Sequence, residues 1–219
     1  MKKLFTFLFI LIVCVMPIIG CGNSKDYSAE IKEGDIALLS IFAFDGKSES
    51  KWGLMNLGHA FLSIENVSDD KLDILDYSLD SGKTICVGTW AIKDHFGVWY
   101  NVESNYFDTY NKYDGRVSVT ISLSTEELDK LCSFISKNDR WNPLNNCSKF
   151  AMHAWNIVAT ESERLIKPII YTPSNIVSQL KMFDNYEINR PMITDKKFGY
   201  FSSSQFVSFG FEGDGYESV

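Results

Sequence analysis

Cys147 stands where a loop gives way to a helix, in the run Asn145-Asn146-Cys147-Ser148-Lys149-Phe150-Ala151. A thiol at a helix N-terminus faces the positive end of the helix dipole and unpaired backbone N–H groups, both of which favour the thiolate. The same N–H groups can receive the oxyanion of an acyl-transfer intermediate. Such a nucleophile needs a base, and the chain has three histidines. His59 follows Gly58 and opens a run in which Ala60, Leu62 and Ile64 alternate with His59, Phe61, Ser63 and Glu65. That period of two is a strand, and it puts His59 on the face opposite the apolar one, where a base can meet a thiol across a cleft. His95, in Lys93-Asp94-His95-Phe96-Gly97, reads as a solvated loop residue. His153 lies beyond the first turn of the Cys147 helix and should point away from the thiol.

A third group should orient the imidazole. If a tight turn pairs Asn66 with Lys71, the chain returns along the His59 strand. His59 then faces Ser78, and Asp76 is its diagonal neighbour on the same face. Asp76 is the better orienter, because a carboxylate fixes the tautomer and stabilises the imidazolium. Glu103, in Tyr100-Asn101-Val102-Glu103, is the rival. Each residue also has a plainer reading: Cys147 as a small buried hydrophobe, His59 as a structural histidine, the acids as polar groups on a sheet surface.

These residues need a scaffold. Strands are expected from Gly34 to Ile41, Gly58 to Glu65, Lys71 to Leu79, Thr84 to Thr89, Val98 to Val102 and Arg116 to Ile121, in a stretch rich in Tyr, Trp, Val and Thr. The period then changes. Ser124-Thr125-Glu126-Glu127 offers an N-cap with acids in the first turn, and Leu128, Leu131, Cys132 and Ile135 follow at helical spacing. A second helix is expected from Cys147 to about Val158, and a third over Asn175 to Met182, capped by Thr172-Pro173-Ser174. The aromatic, Gly-punctuated tail (Phe198, Tyr200, Phe201, Phe206, Phe209, Phe211) has no assigned place. Strands first and helices later mean an α+β fold, an antiparallel sheet or small open barrel packed against helices.

The N-terminus is of another kind. Met1-Lys2-Lys3 precedes an almost wholly apolar run from Leu4 to Val15, and then comes Pro17-Ile18-Ile19-Gly20-Cys21. This is the construction of a secretory signal, and the run is shorter than the roughly 20 residues a membrane span needs. Ile18-Ile19-Gly20-Cys21 resembles a bacterial lipobox. The resemblance implies cleavage before Cys21 and diacylation of its sulfur, hence a lipid anchor in a cell membrane or outer membrane with the protein outside the cytoplasm. Residues 1–20 are then the signal peptide, 21–33 a polar tether and 34–219 one domain, its core about 34–182 and its end the aromatic extension. The net charge of −7 argues against nucleic acid as a partner. With Cys14 in the signal and Cys21 lipidated, Cys86, Cys132 and Cys147 remain. Cys86 reads as strand core and Cys132 as part of a helical apolar stripe, although a disulfide between two of the three stays open. No metal-ligand spacing, glycine-rich phosphate loop or dinucleotide motif occurs, so no cofactor is expected.

Taken together, the motifs resemble the papain-like superfamily that includes NlpC-type cell-wall peptidases, in its circularly permuted branch. NlpC-type enzymes open the cysteine helix with Asp-Cys-Ser-Gly-Phe/Leu. Here Asn146-Cys147-Ser148-Lys149-Phe150 matches the Cys, the Ser and the aromatic, but not the Asp or the Gly. In the permuted branch, as in lecithin retinol acyltransferase-like proteins, the His strand precedes the Asn-Cys helix, which is the order of Gly58-His59-Ala60-Phe61 and Asn146-Cys147. Gly34-Asp35-Ile36 is similar to the Gly-Asp strand that often opens these domains. The resemblance covers roughly residues 33–182. It implies Cys147 as nucleophile, His59 as base and a polar third residue on the strand after His59, with Lys149 a departure that narrows the cleft. It also implies a cysteine amidase or peptidase, for which cell-wall peptides are the expected substrate and lipid acyl groups the second. The competing class is a non-catalytic surface lipoprotein that uses the cleft to bind a peptide, glycan or partner protein, for which Trp52, Trp90, Trp99, Tyr100, Tyr106 and Tyr110 would serve.

Overall fold

A computed structural model describes residues 29–46, 58–110, 112–192 and 197–209. The lipobox, the signal-like run, Trp52 and the end of the aromatic tail lie outside the described residues.

Among the described residues ten strands form in chain order: β1 (Asp35–Phe44), β2 (His59–Asn66), β3 (Leu72–Ile74), β4 (Tyr77–Leu79), β5 (Thr84–Ile92), β6 (His95–Tyr100), β7 (Val117–Ser124), β8 (Glu187–Ile188), β9 (Phe198–Ser202) and β10 (Gln205–Phe209). Eight of them make one open antiparallel sheet in the order β10-β9-β6-β5-β2-β1-β7-β8, and β3 and β4 pair with each other alone. Among the described residues the sheet does not close into a barrel. Four helices flank it: α1 (Val102–Tyr110), α2 (Thr125–Lys137), α3 (Cys147–Val158) and α4 (Pro173–Leu180).

The alternation of the central strands divides the interior in two. On one face Leu39, Ile41, Leu62, Ile64, Val119 and Ile121 pack beneath Leu131 and Ile135 of α2, Phe150 and Trp155 of α3, and Leu180 of α4. On the other, Phe42, Phe44, Phe61, Cys86, Tyr113 and Met192 pack against Tyr106 and Phe107 of α1. Both faces of β1 and β2 are thus covered, which is why their polar positions are buried as well. The α2 terminus is the expected capping box: Ser124 accepts from the Glu127 N–H while the Glu127 carboxylate reaches back to Ser124. Thr172 caps α4 with Pro173 in the first turn, as its sequence indicates.

Three expectations change. The chain after β2 does not return along it. Asn66, fully buried, donates from Nδ2 to the Asp70 and Leu79 carbonyls at 2.7 and 3.0 Å, and its Oδ1 accepts from Ser68. Its own backbone closes onto Lys83 and Gly82. One side chain thereby ties off residues 67–83 as an excursion carrying the small β3–β4 hairpin, and the strand that pairs with β2 on the side away from β1 is β5, from Glu65↔Thr84 to Leu62↔Val87. Second, residues 102–110 form the helix α1, where the sequence reading ended a strand at Val102. Third, His95 lies in β6 rather than in a solvated loop. Its ring bonds Asp139 at 2.7 Å and stacks on Tyr200 at 4.6 Å. The aromatic tail finds its place as the β9–β10 hairpin, added to the sheet beside β6.

Candidate active site

Asn146 is the N-cap of α3: its side chain accepts from the Lys149 N–H at 3.0 Å and donates to the Tyr171 carbonyl at 3.0 Å. It therefore sets where the helix starts and ties that start to the segment before α4. Cys147 is the first helical residue. The Lys149 and Phe150 N–H groups are taken up by Asn146, whereas those of Cys147 and Ser148 belong to the first turn, where a helix offers no intrahelical acceptor.

His59 sits beyond the end of the β2–β5 ladder, which stops at Leu62↔Val87 although both strands continue. In that opening its ring lies 4.2 Å from the Trp90 ring. Nε2 is 2.8 Å from Glu103 Oε1. Cys147 is close enough to the ring for each to shift the other's ionisation, and the Ala60 N–H favours the thiolate as well. The structure therefore brings Cys147, His59 and Glu103 together from α3, β2 and the first turn of α1. It does not bring Asp76. Asp76 is exposed in the β3–β4 turn and Ser78 is exposed on β4, because the Asn66-closed excursion carries both away from the His59 strand.

Glu103 is fully buried, and Trp90 Nε1 donates to the same Oε1 at 2.7 Å. Its position is set by Asn101, whose left-handed backbone (φ 60°) turns β6 into α1. Asn101 is held there by two bonds to Cys86: its N–H donates to the Cys86 carbonyl, and its Oδ1 accepts from the Cys86 N–H, both at 2.9 Å. Asparagine tolerates that conformation better than most residues. Gly88 makes the room: a Cβ there would overlap Glu103 Oε1 and lie 3.3 Å from His59 Nε2. A glycine inside a strand is the sequence mark of such an approach.

The electrostatics follow from this packing. Burial disfavours a charged His59, but the neighbouring Cys147 and Glu103 outweigh it and hold the ring up to about 9. Burial likewise opposes a charged Cys147, and the His59 ring with the Ala60 N–H reverses it, so the thiol lies below its ordinary value. Both shifts favour the thiolate–imidazolium form of the pair. The ion pair forms as pH rises through the lowered thiol value and is lost as His59 gives up its proton near 9.

Near the pair two buried polar atoms have no hydrogen-bond partner: Glu103 Oε2 and the Tyr113 hydroxyl. Tyr113 lies with its ring 6.2 Å from His59 and 5.7 Å from Phe61, and burial, with the Glu103 charge added, pushes its phenol upward. Unpaired buried groups are costly in a finished core, and they gather where a ligand completes them. Nothing in the sequence around Tyr113 points to this placement.

The remaining candidates take structural roles. Cys86 is core and Cys132 packs at its margin, both free of disulfides, as is Cys147. His153 bonds the Tyr171 hydroxyl at 2.9 Å, away from the thiol. Trp99 and Tyr100 are buried, and Tyr106 stacks on Trp90. Lys149 reaches the Leu144 carbonyl at 3.2 Å. No cluster of three potential metal ligands occurs among the described residues, and no described helix is long and apolar enough to cross a membrane. Comparison with known proteins found no family model, no curated protein and no solved structure that the chain matches.

Proposed function

We propose that the protein is a cysteine hydrolase of the circularly permuted papain-like type, acting on an amide bond, with cell-wall peptides as its substrate class. The observation that carries this reading is the convergence of Cys147, His59 and Glu103 at the N-terminus of α3, with His59 bonded to Glu103 at 2.8 Å. The Cys147 thiolate would attack the substrate carbonyl carbon, forming a C–S bond and an oxyanion that the Cys147 and Ser148 N–H groups can receive. His59 would give its proton to the leaving amine as the C–N bond breaks, leaving a thioester. Neutral His59 would then take a proton from water, whose oxygen attacks the thioester and releases the acid and the thiol. Glu103 holds the ring in register and stabilises its charged form. The placement outside the cytoplasm, on a cell membrane or outer membrane, rests on the signal-like N-terminus and the lipid expected on Cys21.

All the described elements lie between residues 35 and 209, so protein spanning residues 22–219 carries the fold without the lipid. This protein and its Cys147→Ala variant should be incubated with purified peptidoglycan and, separately, with phospholipid vesicles. New free amines from peptidoglycan, absent with the variant, are expected. Fatty-acid release instead would redirect the proposal to lipid acyl hydrolysis. No Cys147-dependent product from either would leave a surface lipoprotein that binds through this cleft.

A further inference from the structure

The segment between α3 and α4 is held unusually firmly for a loop. Asn156 of α3 grips Leu165 through both amide atoms, accepting from its N–H at 2.8 Å and donating to its carbonyl at 2.7 Å. Gln179 of α4 grips Ile166 in the same way, at 2.6 and 3.0 Å. Asn175 donates to the Ile170 carbonyl at 2.8 Å. Leu165 is buried, yet the next apolar residues are turned out: Ile166 is 76% exposed, Ile169 101% and Ile170 71%. Leu144, whose carbonyl accepts from Lys149 Nζ, is 84% exposed, and that same ammonium lies 5.8 Å from the Tyr171 ring. Isolated exposed apolar side chains are ordinary, but a rigidly tied row of isoleucines marks an interaction surface.

Charge says what covers it. The chain as a whole is acidic at −7, but residues 140–160 and 164–183 contain Arg140, Lys149, Arg164, Lys167 and Lys181 and no Asp or Glu. Glu161 and Glu163 fall between, and Glu163 is engaged by Thr160. Lys149 lies 5.8 Å from the Tyr171 ring. After burial, the charges of Lys167 and Lys149 are what hold His153 below its ordinary value, so the two cations converge on the same face. Apolar side chains projecting from a basic surface fit the boundary of an anionic bilayer: the lysines meet headgroups and the isoleucines enter the acyl region.

We propose that Ile166, Ile169, Ile170 and Leu144, with Lys149 and Lys167, form a docking surface for an anionic lipid bilayer. The surface adjoins the N-terminus of α3 through the Asn146–Tyr171 bond. It stands independently of catalysis and of any lipid on Cys21.

The test is co-sedimentation of unlipidated protein spanning residues 22–219 with phosphatidylglycerol–phosphatidylcholine vesicles, comparing wild type, Ile169→Ser/Ile170→Ser and Lys167→Glu. Wild type should partition onto the anionic vesicles, and each variant should bind about tenfold more weakly, with thermal midpoints unchanged. Absence of wild-type binding, or equal binding by the double variant, overturns the proposal. So does wild-type self-association that the double variant abolishes, which assigns the surface to a second copy. A lowered midpoint in the double variant also overturns it, because the isoleucines are then covered by this chain. Iodoacetamide reactivity of Cys147, read in parallel, separates failure here from failure of the catalytic assignment.

Discussion

Under the proposed function, Glu103→Gln should lower Cys147-dependent amide hydrolysis about 10²- to 10⁴-fold, the range that a positioned acid–base group contributes. The substitution keeps the shape of a fully buried side chain and an oxygen for Trp90 Nε1, which now donates at 2.7 Å. What it removes is the charge facing the His59 ring at 2.8 Å. The thiolate–imidazolium pair should weaken, and the rate should fall in turnover rather than in substrate binding. Asp76→Asn is the matching control. Asp76 is exposed on the β3–β4 turn, so its loss of charge should leave the rate within about twofold, as surface changes usually do. Steady-state kinetics of the two variants decide between them. An Asp76 effect with an inert Glu103 would overturn the geometry of the site.

Gly88→Ala should be nearly as severe through a single methyl group. The added Cβ would overlap Glu103 Oε1 and crowd His59 Nε2 at 3.3 Å. Glu103 cannot swing aside freely, because its side chain is enclosed and shares Oε1 with Trp90. Overpacking of this kind costs about 1–3 kcal/mol. The same displacement breaks the Glu103–His59 bond, so thiol reactivity should fall alongside stability. Thermal denaturation together with Cys147 alkylation would check both. A variant that loses stability but alkylates Cys147 at the wild-type rate would show that the carboxylate does not support the pair.

The two ends of the site were legible in the sequence for local reasons. Asn146-Cys147 lies where a turn-rich stretch meets a helical period, and the N-cap is a property of adjacent residues. His59 opens a strand whose alternation assigns its face without knowledge of any partner. The third residue depends on contacts that no local pattern contains. Asp76 was favoured because the shortest turn folds residues 71–79 back on the His59 strand, whereas buried Asn66 closes a longer excursion and gives that place to β5. Glu103 stood only as a rival because its helix is short and weakly amphipathic, and because Asn101 sets its direction from a left-handed turn. The β9–β10 hairpin was illegible for a similar reason: its aromatics bury against β6 and β4 residues distant in the chain, as in the Phe201–Tyr100 and Phe206–Tyr77 contacts.

The rate of iodoacetamide labelling of Cys147 against pH tests the central pairing most directly. It is measured in protein spanning residues 22–219 with Cys86 and Cys132 changed to Ser, with and without His59→Ala. Labelling should stay fast at pH values well below the free-thiol midpoint of about 8.5, and the His59 change should move the midpoint up to or above that value. A midpoint at or above about 8.5 in the parent, unmoved by His59→Ala, would contradict the Cys147–His59 pair and leave Cys147 a packing thiol.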